Sequence, residues 1–195
     1  MAHIEPLSKH ANPQFSQKFE HYENTRGFVP NSILTMQRRP QIAEAFMALN
    51  QAVLYEGTVD EELKMLVSLI ASQAAGCRYC QAHMANLASI YAASADKIVA
   101  VWEWQTSDLF SDKEKAALTL AYNASLVPNV ADESHFAEAK KYFFDDEIVE
   151  IVASVALFGY LNRWNDTMAT ELEPYAQERA SKLLGASDWT AGKHS

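Results

Sequence analysis

Cys77, Cys80 and His83 stand three residues apart in the run Gly76-Cys77-Arg78-Tyr79-Cys80-Gln81-Ala82-His83. On a helix, residues three apart lie about 60° from one another around the axis, so Cys77 can meet Cys80, and Cys80 can meet His83. Six residues separate Cys77 from His83, which turns them about 120° apart. His83 is therefore expected beside Cys80. Both thiols fall in the first turn of the helix, where the positive end of the dipole favours thiolate, the reactive form. An imidazole one turn on can accept or return a proton. Such a set can attack a peroxide or a disulfide and then close a Cys77–Cys80 disulfide. Two other readings of the pair stay open. A C-x-x-C is also half of a zinc site, but Cys77, Cys80 and His83 would need a further ligand, and no second C-x-x-C or H-x-H occurs. Free cysteines also fill cores. No metal is expected.

The composition sets bounds on the rest. The sequence has 195 residues, 49% hydrophobic and 21% charged, which suits a globular chain with a sizeable core. A net charge of −9, with no basic run longer than Arg38-Arg39 or Lys140-Lys141, argues against nucleic acid as a partner. No apolar stretch reaches the ~18 residues of a membrane span, and the N-terminus lacks the basic-then-apolar pattern of a secretory signal. With only two cysteines, close together, the expected compartment is the reducing cytoplasm.

The elements that must hold the thiols read as helices throughout. Six glycines and six prolines are few, and no segment alternates with period two. A weak amphipathic segment covers 14–27. Pro40 opens a helix to about Glu56 with Ile42, Phe46, Leu49 and Val53 on one stripe. Thr58-Val59-Asp60-Glu61 reads as a capping box before a nearly all-apolar, central helix that Gly76 breaks. The cysteine helix runs to about Tyr91, and Ser94 caps a short one to Trp104. Ser111-Asp112-Lys113-Glu114 is another capping box; that helix ends near Val127. Asp132 starts a helix to Phe143, Asp145 a long one to Met168, and Pro174 the last, closed by Gly185. The expectation is an all-α bundle of roughly eight helices. Glu62–Cys80 also overlays Glu147–Asn165 without a gap, with the cysteines on Asn162 and Asn165. A duplicated unit and chance likeness between two buried helices both fit. Asn162-Arg163 is expected to make a structural hydrogen bond. Trp102, Trp104, Trp164 and Trp189 are expected to fill core and interface. His135 is expected at the surface, and His3, His10 and His194, near the termini, carry no assigned role.

The segment Ala71–His83 resembles the signature of the alkylhydroperoxidase D-like branch of the carboxymuconolactone decarboxylase superfamily. The resemblance continues in Asn129-Val130-Ala131-Asp132, Asp146–Val152, Leu161–Asp166 and Leu172-Glu173-Pro174. It covers about 30–175, within a domain taken as 30–185 between an N-terminal extension, 1–29, and a tail, 186–195. The resemblance implies an all-α fold in homo-oligomers, trimers or hexamers. It implies a thiol-dependent peroxidase acting on hydrogen peroxide or organic hydroperoxides. No bound cofactor is implied, only an external dithiol or lipoyl-type reductant, protein or small molecule. Carried over, Cys80 is the peroxidatic cysteine and Cys77 resolves. Two positions depart from the pattern: Met65 stands where members carry a relay glutamate, and Met84 where many carry a second histidine. Glu62 and Glu150 are the candidate replacements in the proton relay. The alternatives are a disulfide reductase or redox sensor using the same pair, a decarboxylase of a lactone acid, which needs no thiol, and a non-enzymatic helical oligomer.

Overall fold

The computed structural model describes residues 2–185 and 188–195. Among them there is no strand, and the α-helices number ten. They are α1 (Ser16–Arg26), α2 (Asn31–Met36), α3 (Pro40–Leu54), α4 (Glu61–Ala74), α5 (Arg78–Ile90), α6 (Ala95–Val99), α7 (Asp112–Ser125), α8 (Glu133–Ala139), α9 (Asp145–Met168) and α10 (Pro174–Leu184). The all-α expectation holds; α2 is the helix not foreseen, and the short helix capped by Ser94 ends at Val99 before a 3-10 turn, Ala100–Glu103.

The apolar α4 is the axis of the molecule. It packs on α5, α7 and α9, and Met65, Leu66, Val67, Leu69 and Ile70 have no exposed surface. A helix with apolar residues on every side can satisfy them only by being surrounded. Its two inward serines are satisfied locally: Ser68 Oγ donates to the Lys64 carbonyl and Ser72 Oγ to that of Ser68, both at 2.7 Å. Gly76, at φ +73°, lets the chain turn out of α4 and straight into α5. The long α9 passes the same region without a comparable break.

Two local expectations are corrected. The buried face of α3 is Ala43, Phe46, Met47, Asn50, Val53 and Leu54; Ile42 and Leu49 are 42% and 52% exposed. The stripe was read about one position out of phase. The Thr58–Glu61 capping box does not form. Asp60 is the N-cap of α4 without a side-chain bond, and Thr58 is taken by Glu150 instead. Within 1–29, Phe15, Phe19 and Tyr22 are buried in the common core. By contrast, the Ser111–Glu114 capping box is present, Trp104 and Trp189 are buried, and Trp102 and Trp164 pack on the core. His135 is half-buried and shares a capping box with Asp132.

Glu150, on α9, ties that helix to the loop before α4. Its carboxylate accepts from the Thr58 and Val59 N–H groups at 2.9 and 3.1 Å and pairs with Lys64 Nζ at 2.8 Å. Burial raises its pKa, but Lys64 and the two N–H donors outweigh that and hold it at about 2. The close approach explains Gly57, at φ +97°, where a Cβ would lie 2.3 Å from the Glu150 carboxyl carbon. Lys64 is 1% exposed and depends on this partner. Removing one member of a buried pair leaves an uncompensated charge. Glu150→Ala is therefore expected to lower stability by about 3 kcal/mol in urea unfolding. Combining it with Lys64→Met should recover part of the loss.

Candidate active site

The α4–α5 turn builds the thiol pair. Cys77 is the N-cap of α5 and Cys80 lies in its first turn. The Cys77 N–H donates to the Ser72 carbonyl at 3.1 Å, and Gln81 Nε2 reaches the same carbonyl at 3.2 Å, so the last turn of α4 anchors the first turn of α5. Both cysteines are free and buried, with sulfurs about 3.5 Å apart. Asn165 Nδ2 on α9 donates to Cys80 Sγ at 3.4 Å. Its neighbour on the same face, Asn162, donates to the Ala71 carbonyl at 3.4 Å, the structural bond expected of it.

The two thiols differ electrically. The Cys80 thiol hydrogen-bonds to Cys77 and lowers its pKa to about 6; burial opposes this and His194 assists it. Cys80 is pushed well above the ordinary thiol range, first by burial and then by the charge on Cys77, with Asn165 opposing. Two thiols this close titrate as a pair holding one proton. The directions make Cys77 the more acidic thiol and Cys80 the less acidic one.

Cys80, not Cys77, lines a cavity of about 30 Å³. Ile33, Phe46, Leu54, Met84, Phe158 and Leu161 form its apolar wall, and Arg26, Asn50, His83 and Asn165 its polar groups. Arg26 and Asn50 also line an open cleft of about 750 Å³ beside α1 and α3, so the two spaces share a wall. The Arg26 guanidinium donates to Tyr55 Oη at 2.5 Å and lies over the Tyr22 ring at 4.6 Å. The N-terminal helix thus supplies a residue to the site.

His83 shares the cavity with Cys80, but its Nε2 is turned to Glu173 Oε2, 2.7 Å away, rather than to the thiol. Its ring stacks on Tyr79 with centroids 4.3 Å apart and meets Phe28 edge-on at 5.3 Å. Glu173, just before α10, was missed as a site residue. Its Oε1 accepts from Tyr79 Oη at 2.9 Å and from the Asn31 N–H at 2.5 Å. Burial raises the Glu173 pKa, but the charge and hydrogen bond of His83 and the Asn31 donor bring it below the usual range. The signal available in the sequence was Leu172-Glu173-Pro174, a carboxylate fixed ahead of a helix-opening proline.

The carboxylates considered for the relay are elsewhere. Glu62 is paired with Lys97 at 2.6 Å, and Glu150 with Lys64. Met65 is sealed in the core, while Met84 lines the cavity. His194 is the other surprise. It is buried, and one of its nitrogens, Cys77 Sγ and an Asp166 carboxylate oxygen lie within 4.8 Å of one another.

Comparison with known proteins agrees with this architecture. Residues 40–123 match the carboxymuconolactone decarboxylase family. The debrominase Bmp8 superposes with a TM-score of 0.86 at 34% identity over 92% of this chain and 96% of its own; that structure is a cysteine-to-alanine variant in complex with 2,3,4-tribromopyrrole. Over residues 40–123 the chain is thus similar to the carboxymuconolactone decarboxylase family. An alkylhydroperoxidase D core protein of Ralstonia eutropha JMP134, 23% identical over 89% of this chain and 90% of its own, has the same fold at a TM-score of 0.74. YnjA of Escherichia coli K12 is 30% identical over 110 residues, 56% of this chain, and the match spans only 60% of YnjA's length. In this chain a buried carboxylate, Glu173, meets His83, while residue 65 is a methionine.

The Glu173 network makes a testable contribution to stability. Its folded pKa is depressed, so the stabilisation is present above the unfolded value of about 4.3 and is lost as pH falls through the folded one. Glu173→Gln should cost about 1–3 kcal/mol at pH 7, and the difference from wild type should shrink steadily in urea unfolding between pH 5 and the folded pKa.

Proposed function

We propose that this protein is a thiol-dependent reductase that passes two electrons from the Cys77/Cys80 pair to a small hydroperoxide. The observation that carries this reading is the pair itself: two free sulfurs about 3.5 Å apart, one of them on a cavity that it shares with a carboxylate-bound histidine. A cavity of about 30 Å³ has the volume of about one liquid water. That is room for the –OOH end of a peroxide and little more. Shifting the shared proton from Cys80 to Cys77 brings the negative charge to the cavity. Cys80 Sγ then attacks the distal peroxide oxygen, the O–O bond breaks, and His83, oriented by Glu173, is placed to protonate the leaving oxygen. The product is Cys80 sulfenic acid and an alcohol or water. Cys77 condenses with it, a disulfide forms and water leaves. An external dithiol or lipoyl-type reductant restores both thiols. Cys80 is thus the attacking and Cys77 the resolving residue, with Glu173 in the relay in place of Glu62 and Glu150. A dithiol kept free for this cycle suits the reducing cytoplasm.

A second reading is reductive debromination of a heteroaromatic, favoured by the likeness to Bmp8 over nearly its whole length. The electron balance is the same. Cys80 takes bromine from carbon, the carbon takes a proton, and Cys77 displaces bromide to form the disulfide. A brominated ring needs more space than this small cavity, and movement of Arg26 and Asn50 would widen it toward the neighbouring cleft.

Hydrogen peroxide and cumene hydroperoxide consumption, with dithiothreitol and dihydrolipoamide as reductants, tests the first reading. Bromide release from a brominated pyrrole tests the second. Cys80→Ser should abolish turnover. Glu173→Gln should lower it by at least about tenfold, since a positioned proton donor contributes roughly 10²–10⁴-fold. Bromide release without peroxide consumption would select the second reading; neither activity would overturn the reductase.

Assembly as a homo-oligomer, a trimer or hexamer, is part of the same proposal. Val149, Val152 and Tyr160 on α9 and Ile42 and Leu49 on α3 expose apolar surface suited to a second copy. Light scattering at micromolar concentration should return three or six chain masses, and a monomer would refute it.

A further inference from the structure

Cys77 faces away from the substrate cavity, so the His83–Glu173 pair does not explain how it is made nucleophilic. What it faces is the C-terminal turn Gly192–His194. His194 is 1% exposed, an unusual place for a residue so near a chain end. The turn is held in position, because the Leu172 N–H donates to the His194 carbonyl at 2.8 Å.

The imidazole's tautomer follows from one contact. Nδ1 is 2.8 Å from the Thr170 carbonyl, which can only accept, so Nδ1 carries the proton. That leaves Nε2 as the free atom. It is buried with no hydrogen-bond partner, and it lies 3.6 Å from Asp166 Oδ1. A bare lone pair facing a carboxylate is unfavourable; a protonated Nε2 there is favourable. The nearby proton source is Cys77 Sγ–H, within the same 4.8 Å cluster.

We propose that His194 is the acid–base partner of Cys77, taking the thiol proton on Nε2 so that Cys77 can close the disulfide. This rests on the thiol-reductase reading. The proton on Cys77 Sγ passes to His194 Nε2. The thiolate electron pair forms the bond to Cys80 Sγ, and the Cys80 S–O bond breaks. The oxygen departs as water with a proton drawn through His83. Each sulfur then has its own imidazole, one on α5 and one on the C-terminal turn.

The charges around the pair agree with the assignment. Asp166 on α9 stabilises the imidazolium, and Lys193 Nζ, 2.8 Å from Asp166 Oδ2, offsets part of that charge. From α5 come Cys80 and the Tyr79 ring, centred 6.0 Å from that of His194. Burial lowers the His194 pKa, yet Cys77, the Thr170 carbonyl and Asp166 together raise it. The Cys77 pKa moves the other way. Those are the two directions of a thiolate–imidazolium pair.

The test uses the full chain with Cys80→Ser, which leaves Cys77 as the sole thiol and keeps a hydroxyl donor beside it. Iodoacetamide alkylation of Cys77 is followed by mass spectrometry from pH 5 to 10, with no substrate present. The rate should rise with a midpoint well below the free-thiol value of about 8.5. Adding His194→Gln should move the midpoint up by at least one unit, about a tenfold loss of rate at pH values well below both midpoints. His194→Gly should behave likewise, and added imidazole should restore the low-pH rate. An unmoved midpoint overturns the proposal. So does a uniform rise at every pH, which would mean that the turn merely shields the thiol. Because alkylation needs no turnover, a missing peroxidase activity would overturn the reductase reading and leave this result standing.

Discussion

The site depends on satisfying one buried carboxylate. Glu173 lies at the start of α10, and its two oxygens are met by the Asn31 N–H at the start of α2 and by Tyr79 and His83 on α5. An ionised carboxylate out of water is costly unless its lone pairs are taken up. Taking them up fixes three segments against one another. Tyr79 and His83 are one turn apart on α5, on the helix that carries the thiols, so the rings stack and Cys80 is set between their anchor points. The requirement that orders the polar side of the site also sets the orientation of α5 on its apolar side.

That orientation gives the two cysteines unequal surroundings. Cys80 looks into the cavity, and Cys77 looks toward the C-terminal turn. The thiol away from the cavity is the more acidic, while burial favours the protonated form of the thiol at the cavity. The two demands do not conflict, because a dithiol attacks with one sulfur and resolves with the other. Burial keeps the cavity-facing thiol neutral until a substrate and a proton acceptor are both present, which protects it from stray oxidants.

Much of the fold was legible because its signals are local. The Ser111–Glu114 capping box, the break at Gly76, Pro174 at a helix start and the nearly all-apolar α4 each follow from a few adjacent residues. The α3 stripe failed because two phases fit the same pattern, and the partner surface chose the one with Ala43, Met47, Asn50 and Leu54 inward. The C-x-x-C and His83 were legible for the same local reason. Their partners were not. Glu173 is 90 residues from His83, and His194 more than a hundred from Cys77. Nothing in the spacing of Glu62 or Glu150 distinguished them from Glu173; each is a glutamate near a helix start. Lys97 and Lys64 claim the first two, a fact of tertiary packing alone.

Met65 illustrates what a proton relay constrains and what it leaves free. The relay needs a carboxylate within hydrogen-bond reach of the imidazole, in a buried place, and the position in the chain that supplies it is immaterial. Here α4 has no polar group to offer at residue 65, and that side chain completes the core instead. The carboxylate comes from the far side of α5, on the connection into α10. His83 Nε2 points toward the start of α10, where Glu173 meets it. The α9 side is then left to Asn165 and Asp166, successive residues that divide the pair between them. One donates to Cys80, and the other faces the imidazole beside Cys77. A single turn of α9 thereby makes the two sulfurs different, which is what a resolving pair requires.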